Sequence, residues 1–395
     1  MKPLFSLFKI AVFHVVAIAA SSSYGAAGFL TEEIDSDVAI GYGVSLDDIN
    51  GDGKTDIVLC DKNDIYWYKS PDWKKHRIAH NLTKRDHVCV DALDLDGDGK
   101  AEIAVGAEWN PGDTLNSGSL HYLIPQEDKT KSWSPIRLPH EPTTHRVRWI
   151  KGPHNSNQLL VVPLHGRGNK GGKGVGVKIE AYSWPKRPES HWVRTLVNGD
   201  LHMTHNVDPI QMDSDPENEI LICATEGVFL ADWKNGRWEN EQLAGKEVGH
   251  ENFIGASEVR HGKLPESKNY FVTVESFHGN NLVLYKQKAD KSYGRQIIFS
   301  KMSGGHAVAT GDFLNSGYDQ IIFGWRNKLR NATYGIQIAT LEASTGQWKF
   351  QWIDEGGLAA EDIKVADLDN DGDLDFVASG RSSNNLRIYW NELNK

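Results

Sequence analysis

The sequence predicts an all-β fold, a seven-bladed β-propeller of four-stranded antiparallel blades, on three observations. An acidic turn between apolar, β-rich runs occurs three times along the chain. Degenerate copies lie between these turns at intervals of roughly 45 to 60 residues, a length that suits four short strands with their loops. The last copy ends after its third strand, so the N-terminal strand is expected to close the last blade and remove a free sheet edge.

The clearest acidic turn lies within residues 87–105. Asp94, Asp96 and Asp98 stand at alternate positions, and Glu102 follows at the ninth position of the loop. Ca²⁺ takes roughly six to eight oxygen ligands, and alternate spacing with intervening glycines wraps oxygens around one point. The predicted Ca²⁺ ligands of the three loops are Asp48, Asn50, Asp52 and Asp56; Asp94, Asp96, Asp98 and Glu102; and Asp367, Asp369, Asp371 and Asp375. The alternative is an acidic turn without an ion, which the mutual repulsion of the carboxylates disfavours.

Aligning the repeats on their first metal position predicts where each innermost strand begins. The predicted starts are Tyr42, Val88, His145, His205, His250, His306 and Glu361. Seven units follow from this count, and no break in composition divides them. Residues 28–395 are therefore predicted to form a single domain.

The first 26 residues have the pattern of a signal peptide. Lys2 and Lys9 precede or border an apolar run over residues 10–20, and small residues follow it. The apolar run is too short to span a bilayer, and no later segment is long enough. The mature protein is therefore predicted to be exported to the periplasm or beyond.

Composition narrows the range of partners. The formal charge is -10, which argues against nucleic acid as a ligand because nucleic-acid binding requires a clustered basic surface. The three cysteines, Cys60, Cys89 and Cys223, lie inside apolar strand-like runs and are predicted to be buried thiols. A bridge between Cys60 and Cys89 is the alternative. The sequence gives no prediction of oligomeric state.

Several motifs resemble known families. The acidic loops resemble FG-GAP/VCBS repeats, which occur in integrin-like propellers and in many secreted bacterial proteins. The runs HRVRW, VVPLHGRG, GGHAVATGDF and AAEDIKVADLDNDGDLDFVASGR resemble the propeller part of aldos-2-ulose (anhydrofructose) dehydratases. They resemble the propeller polysaccharide lyases more distantly. This resemblance implies a carbohydrate ligand and carbon–oxygen lyase chemistry.

Histidines occupy four of the seven predicted strand starts. The innermost strands of a propeller line its central channel, so these imidazoles are expected to converge at one mouth. Convergent histidines suit Zn²⁺ or another divalent metal, and they also suit general acid–base catalysis. The predicted catalytic residues are His145, His205, Tyr42 and His87, and the predicted channel-metal ligands are His250 and His306. The alternative is a set of packing residues in a narrow polar channel.

The loops between the second and third strands should open on the same face. Arginines in these loops are suited to hold a carboxylate, and tryptophans are suited to stack on a sugar ring. The predicted substrate-binding residues are Trp109, His165, Arg167, Glu226, His278, Trp325, Arg326 and Arg381.

These features together predict a secreted carbon–oxygen lyase that acts on a sugar or a uronic-acid polysaccharide. One alternative is a non-catalytic, Ca²⁺-stabilised propeller that binds glycan or protein. Another is a glycoside hydrolase that uses two carboxylates at the mouth. Its candidates are Glu108, Glu226, Glu275 and Glu361.

Overall fold

Seven antiparallel sheets form a closed ring in the computed structural model, which describes residues 23–24, 28–328 and 332–392. The strand nearest the axis in each sheet contacts its counterpart in the next sheet, and the innermost strand of the last sheet contacts that of the first. The all-β, seven-bladed propeller predicted from the sequence is therefore confirmed.

Six blades follow one another along the chain, each running from its inner to its outer strand. Blades one to three consist of β3 (Gly43–Asp47), β4 (Asp56–Cys60), β5 (Asp64–Lys69) and β6 (Lys74–His80); β7 (Cys89–Leu93), β8 (Glu102–Ala107), β9 (Ser119–Ile124) and β10 (Ser134–Leu138); and β11 (Thr144–Gly152), β12 (Ser156–Pro163), β13 (Ile179–Ser183) and β14 (Val193–Asn198). Blades four to six consist of β15 (Thr204–Ile210), β16 (Glu219–Ala224), β17 (Val228–Lys234) and β18 (Arg237–Ala244); β19 (Glu258–Leu264), β20 (Lys268–Glu275), β21 (Asn281–Gln287) and β22 (Tyr293–Phe299); and β23 (Gly305–Gly311), β24 (Gln320–Trp325), β25 (Gly335–Glu342) and β26 (Gln347–Glu355).

The seventh blade joins the two ends of the chain. Its strands are β27 (Ala360–Ala366), β28 (Asp375–Gly380), β29 (Asn385–Asn391) and β2 (Phe29–Asp35), with β1 (Ser23–Tyr24) paired outside β2. β2 pairs antiparallel with β29, and Thr31 lies opposite Tyr389. The N-terminal strand therefore closes the last blade, as predicted.

Apolar packing between blades holds this closing strand in place. Phe29 is fully buried and makes edge-to-face contacts with Phe313 of blade six and Phe376 of blade seven, at centroid distances of 6.2 and 5.3 Å. Arg387 of β29 donates hydrogen bonds to Glu33 of β2 at 2.7 and 2.9 Å and to Asp354 of blade six at 2.8 Å. The closure therefore links three segments that are far apart in sequence.

One predicted blade start is wrong. The inner strand of blade five begins at Glu258, not at His250, because an extra loop over residues 245–257 precedes it. This loop contains a 3₁₀ turn, Lys246–Val248. Blades three and five also join their first two strands by 3₁₀ turns, Pro153–Asn155 and Pro265–Ser267, and so lack the acidic loop on which the repeats were aligned.

Other predictions about the chain have mixed outcomes. Cys60, Cys89 and Cys223 are buried free thiols, so the alternative bridge does not form. No helix among the described residues has the length and apolar character needed to cross a bilayer. The predicted signal peptide lies outside the described residues except for Ser23 and Tyr24 and stays a prediction.

The closing strand yields a stability prediction. Phe29→Ala should lower the free energy of unfolding by about 3–5 kcal/mol, because it empties a buried site between blades six and seven. Leu30→Ala is the matched control, since Leu30 is half-buried on the other face of the same strand. Chemical denaturation of both variants tests this. Equal losses in the two variants would show that Phe29 does not hold the ring closed.

Candidate functional site

Four β-bulges lie at the same place in four blades, where the inner strand begins. In each case the inner strand carries one more residue than its partner, and the extra residue is His145, His306, Glu361, or one of the pair His205–Asn206. A bulge turns a side chain away from the regular alternation of the strand. The four bulges therefore turn three histidines and a glutamate into one cavity of about 370 Å³ at the channel mouth, called here the histidine pocket.

The three histidines share one hydrogen-bonding pattern. Each donates its Nδ1–H to a backbone carbonyl at the start of the next blade: His145 to His205 at 3.0 Å, His205 to Ser257 at 2.8 Å, and His306 to Glu361 at 2.5 Å. This bond fixes the tautomer and leaves each Nε2 as an acceptor. Ser257 occupies the blade-five position that the sequence assigned to His250.

His278 reaches the same cavity from the loop after β20. Its Nε2 lies 2.8 Å from the Nε2 of His205, and its ring stacks on that of His306 with a centroid distance of 4.8 Å. One ring nitrogen each of His205, His278 and His306 lies within 4.8 Å of the others. The cluster therefore contains His278, which the sequence placed among substrate-binding residues.

Two arginines and a glutamate form the charged side of the pocket. Glu361 accepts a hydrogen bond from Arg326 at one oxygen and from Arg381 at the other, both at 2.6 Å. Arg381 also lies over the ring of Tyr42, whose hydroxyl donates to Asp86 at 2.9 Å. Both guanidinium groups are half-buried and line the cavity. Each bonds Glu361 through one nitrogen, and Nη2 of Arg326 also lies 3.4 Å from the Nδ1 of His278, so further N–H donors remain on both groups.

The opposite wall is aromatic and basic. Trp109 stacks on His145 with a centroid distance of 4.8 Å. Arg146 donates from Nη1 to the Nε2 of His145 at 2.9 Å, so the lone pair of that imidazole is already taken. His145 is therefore a poor proton acceptor in this arrangement. His205 shares this state, because its Nε2 lies 2.8 Å from the Nε2 of His278, which carries the proton between the two rings. The sequence assigned no role to Arg146, although a charged residue within an inner strand was the available signal.

Burial keeps the imidazoles neutral. The pKa of His145, His205 and His306 is held well below the usual value, first by burial and then by the nearby arginines Arg146 and Arg326. Burial, and then the neighbouring His205 and Arg326, lower the pKa of His278 to about 2. Burial, with Asp86 beside it, raises the pKa of the Tyr42 hydroxyl, so Tyr42 holds its proton.

The cluster of His205, His278 and His306 fits a divalent transition metal. Such metals bind neutral imidazole nitrogens, and three protein ligands with an open position are typical of a catalytic zinc centre. The Nδ1–H bonds of His205 and His306 to backbone carbonyls are the outer contacts that orient metal-binding histidines.

Beneath His205 lies a buried carboxylate. Glu258 is 1% exposed, and its Oε1 lies 3.1 Å from the Nδ1 of His205. Asn206 donates to its other oxygen at 2.6 Å. Glu258 therefore positions His205 from the side of blade five. The contact arises because β19 begins at Glu258 and not at His250.

Six predicted site residues lie elsewhere. His87 is buried between blades one and two, where its Nε2 accepts from the Leu82 N–H. His250 donates from Nε2 to the Tyr293 carbonyl at 2.8 Å and contacts Tyr285, so its pairing with His306 as a metal ligand is wrong. The six residues that do not line the histidine pocket are His87, His165, Arg167, Glu226, His250 and Trp325.

Trp325 is a core residue, not a sugar platform. It is 2% exposed, packs against Phe299 and Trp352, and donates its indole N–H to the Thr333 carbonyl. The prediction was wrong because Trp325 still belongs to β24, where alternation points it between the blades. Arg167, by contrast, is exposed and binds the Glu141 carboxylate.

The carboxylates needed by a hydrolase are not brought together. Of the four candidates, Glu361 lines the histidine pocket, where both its oxygens bind arginines. Glu275 is fully buried within blade five against Arg295 and Tyr285. Glu108 lies 3.7 Å from Arg85, outside the pocket lining.

Two of the three acidic turns have ligand atoms already grouped. Oxygens of Asp94, Asp96 and Glu102, and of Asp367, Asp369 and Asp371, lie within 4.8 Å of one another. Burial first, and then the neighbouring carboxylates, raise the pKa of Glu102 and of Asp375 to about 7. A bound cation would relieve this crowding, so both turns fit Ca²⁺.

The first acidic turn has a different arrangement. Asp48 accepts backbone N–H bonds from Asn50, Gly51 and Gly53, and Asp52 pairs with Lys69. Blade four holds a further acidic group, Asp213, Glu219 and Asp232. The sequence missed this group because Gln211 replaces the first acidic position and Asp232 comes from β17.

Comparisons with known proteins agree with this architecture. The described residues form a seven-bladed propeller, and residues 48–105 match the FG-GAP-like repeat family. Residues 117–288, which contain His145, His205 and His278, match the family described as aldos-2-ulose dehydratase, beta-propeller domain. Both resemblances expected from the sequence are confirmed over these residues.

A solved structure also matches the fold. The crystal structure of an ancestral GH74 enzyme aligns with a TM-score of 0.60 at 12% identity, over 93% of this chain and 50% of that chain. The protein thus spans about half the length of that enzyme, and the likeness shows the fold alone. A search of curated proteins finds no match to this chain.

The buried imidazoles yield a pH prediction. Because the folded state keeps them neutral, the unfolded chain takes up protons first as the pH falls below about 6.5. Each imidazole then costs about 1.4 kcal/mol of stability per pH unit, so stability is retained above pH 6.5 and lost below it. His145→Gln should remove one such contribution from the pH dependence.

Urea denaturation between pH 7 and pH 5, in the presence of a chelator, measures this slope. The exposed histidine variant His191→Ala serves as the control and should keep the slope of the parent protein. An unchanged slope in His145→Gln would mean that His145 is not buried as a neutral ring.

Proposed function

We propose that the protein is a carbohydrate-active enzyme, and that it is a carbon–oxygen lyase acting on a sugar that bears a carboxylate or carbonyl. One observation carries the proposal. The neutral imidazoles of His205 and His306 share a cavity with two arginines, Arg326 and Arg381, that are anchored by Glu361. This arrangement supplies a proton acceptor beside donors for developing negative charge. The match of residues 117–288 to a dehydratase propeller domain supports the same chemistry.

The arginines bind the anionic part of the substrate. A guanidinium group recognises a carboxylate through paired N–H donors. The contacts of Arg326 and Arg381 with Glu361 hold both guanidinium planes at the cavity wall. The same donors then stabilise the enolate-like charge that forms when the α-proton leaves, which is usually the largest catalytic contribution.

His205 is the proposed base. Its Nδ1–H bond to Ser257 and its contact with Glu258 orient Nε2 toward His278, and substrate binding displaces the N–H of His278 before Nε2 takes a proton. Nε2 takes the proton alpha to the carboxylate or carbonyl, and the electron pair forms a double bond as the bond between the beta carbon and oxygen breaks. The arginines that lower the pKa of His205 are themselves neutralised by a bound carboxylate, so substrate binding strengthens the base.

Tyr42 is the proposed acid. Its raised pKa keeps the hydroxyl protonated. The proton is donated to Asp86 in the free protein, and substrate binding redirects it to the departing oxygen. A divalent transition metal held by His205, His278 and His306 would supply Lewis-acid stabilisation of the same developing charge. Because the metal would occupy the Nε2 lone pair of His205, this arrangement is an alternative to the role of His205 as the base. Hydrolysis by a carboxylate pair is disfavoured, because such a pair requires a second carboxylate facing the same sugar bond.

Polymers of uronic acids, such as polygalacturonate and alginate, test the lyase proposal. Elimination creates an unsaturated sugar with new ultraviolet absorbance. His205→Asn should lower kcat/KM by roughly a hundredfold or more, the usual contribution of a general base. His191→Ala is the matched control, since His191 is an exposed histidine at the propeller rim.

Two outcomes would contradict this proposal. New reducing ends without ultraviolet absorbance would indicate a hydrolase. Binding of these polymers without turnover, retained in His205→Asn, would indicate a non-catalytic propeller.

We also propose that the acidic turns at Asp94–Glu102 and Asp367–Asp375 bind Ca²⁺. The grouped oxygens and the raised pKa of Glu102 and Asp375 support this. Export of the mature protein is proposed on the N-terminal sequence pattern, and an exported enzyme would meet extracellular polysaccharide.

Removing one predicted ligand tests the calcium proposal. Asp96→Ala should lower the melting temperature in excess Ca²⁺ and have little effect in chelator, because only the holo state contains the lost bond. Glu189→Ala, at an exposed acidic residue outside the turns, should have the same small effect in both buffers. An equal drop for Asp96→Ala in chelator would show that this turn holds no ion.

A further inference from the structure

A second cavity lies beside the histidine pocket on the same face. Its volume is about 630 Å³, and it is bounded by blade four and by the extra loop over residues 245–257. Leu201 lines this second cavity, whereas Met203, two residues further on, lines the histidine pocket. Thr225, which also lines the second cavity, donates its backbone N–H to the Met203 carbonyl at 3.0 Å. The two cavities therefore share a wall that is only a few residues thick.

The electrostatic character of the second cavity is opposite to that of the first. Asp200, Glu226 and Glu247 line it, with Lys246 as the single basic residue among the lining residues described. The histidine pocket instead carries Arg146, Arg326 and Arg381 against Glu361. An anionic sugar residue is attracted to the histidine pocket and repelled by the second cavity.

Amide side chains give the second cavity its shape. Asn198 donates to Asn240 at 2.8 Å, and Asn240 donates to the Val197 carbonyl at 2.8 Å. Gln242 donates to the Glu226 carbonyl at 3.1 Å, which leaves its carbonyl oxygen as an acceptor. These contacts hold the amides in fixed orientations, so they present both donors and acceptors to a ligand.

Glu226 is held in place on the shared wall. Its Oε1 accepts from the backbone N–H of His202 at 2.9 Å and from the His202 ring at 2.8 Å, and its Oε2 accepts from Thr225 at 2.8 Å. The sequence assigned Glu226 to the same site as the arginines. The structure assigns it to the neighbouring cavity.

Apolar side chains complete the lining. Phe229 is half-buried, and Ile254 is 63% exposed at the rim of the cavity. A neutral sugar ring presents apolar C–H faces and an edge of hydroxyl groups, which match apolar surface and fixed amides respectively. The lining chemistry therefore favours an uncharged sugar ring over a carboxylate.

We propose that this second cavity is a binding subsite for an uncharged sugar residue, adjacent to the histidine pocket. The substrate class that follows is a heteropolysaccharide in which a neutral residue neighbours the acidic residue undergoing elimination. The identity of the polymer rests on the proposed lyase function, whereas binding of a neutral sugar in the second cavity does not.

Calorimetric titration of the full chain with a neutral β-1,4-linked glucan tetrasaccharide and with a galactan tetrasaccharide tests the subsite. At least one of the two probes should bind. The double variant Asn240→Ala/Ile254→Ala should weaken that binding by roughly tenfold, since it removes one polar and one apolar contact. Both residues are exposed, so the substitutions leave the core intact.

Variants of the histidine pocket separate this proposal from the lyase proposal. His205→Asn should leave binding of the neutral probe unchanged, even if no polymer is ever cleaved. Tetragalacturonate should lose affinity in Arg326→Ala and keep it in Asn240→Ala/Ile254→Ala. The subsite proposal is overturned if neither neutral probe binds, if their binding is unaffected by the double variant, or if tetragalacturonate competes with them for the second cavity.

Discussion

Closure of the ring by a single strand is the constraint on which the site depends. β2 supplies the outer strand of the last blade, and Phe29 fills a space between blades six and seven. Glu361, on the inner strand of that blade, holds Arg326 of blade six, and Arg381 of its own blade completes the pair. The charged side of the histidine pocket therefore lies where blade six meets the blade in which the two ends of the chain join.

The orientation of the histidines also depends on the closed ring. His145, His205 and His306 each donate Nδ1–H to the neighbouring blade, so the spacing between blades sets the orientation of every Nε2. A buried imidazole without such a partner would cost stability, whereas a bonded neutral ring is satisfied. The same bonds thus stabilise the polar mouth and select the tautomer that is able to accept a proton or bind a metal.

The sequence predicted the fold and much of the histidine pocket because both follow from the repeat. His205, His306 and Tyr42 were found by their register at the strand starts, and Arg326 was found by its position in the loop after the second strand. Roles set by local tertiary structure were not predicted. His278 takes its position from a loop turn with a φ of 46°, and its role was assigned differently for that reason. Trp325 was misjudged because strand alternation, rather than loop position, decides its direction.

The prediction that the inner strand of blade five begins at His250 was wrong for a structural reason that bears on function. The alignment assumed repeats of similar construction. The extra residues of the 245–257 loop move the start of the inner strand from His250 to Glu258. That loop contributes Lys246, Glu247 and Ile254 to the second cavity, so the departure from the repeat is what builds it. Residues that obey the repeat meet at the axis, where bulged inner strands hold them rigidly. Residues inserted between blades lie off the axis, where they are free to vary without disturbing the ring. The proposed chemistry at the axis and the proposed selectivity beside it would therefore be encoded by different parts of the sequence.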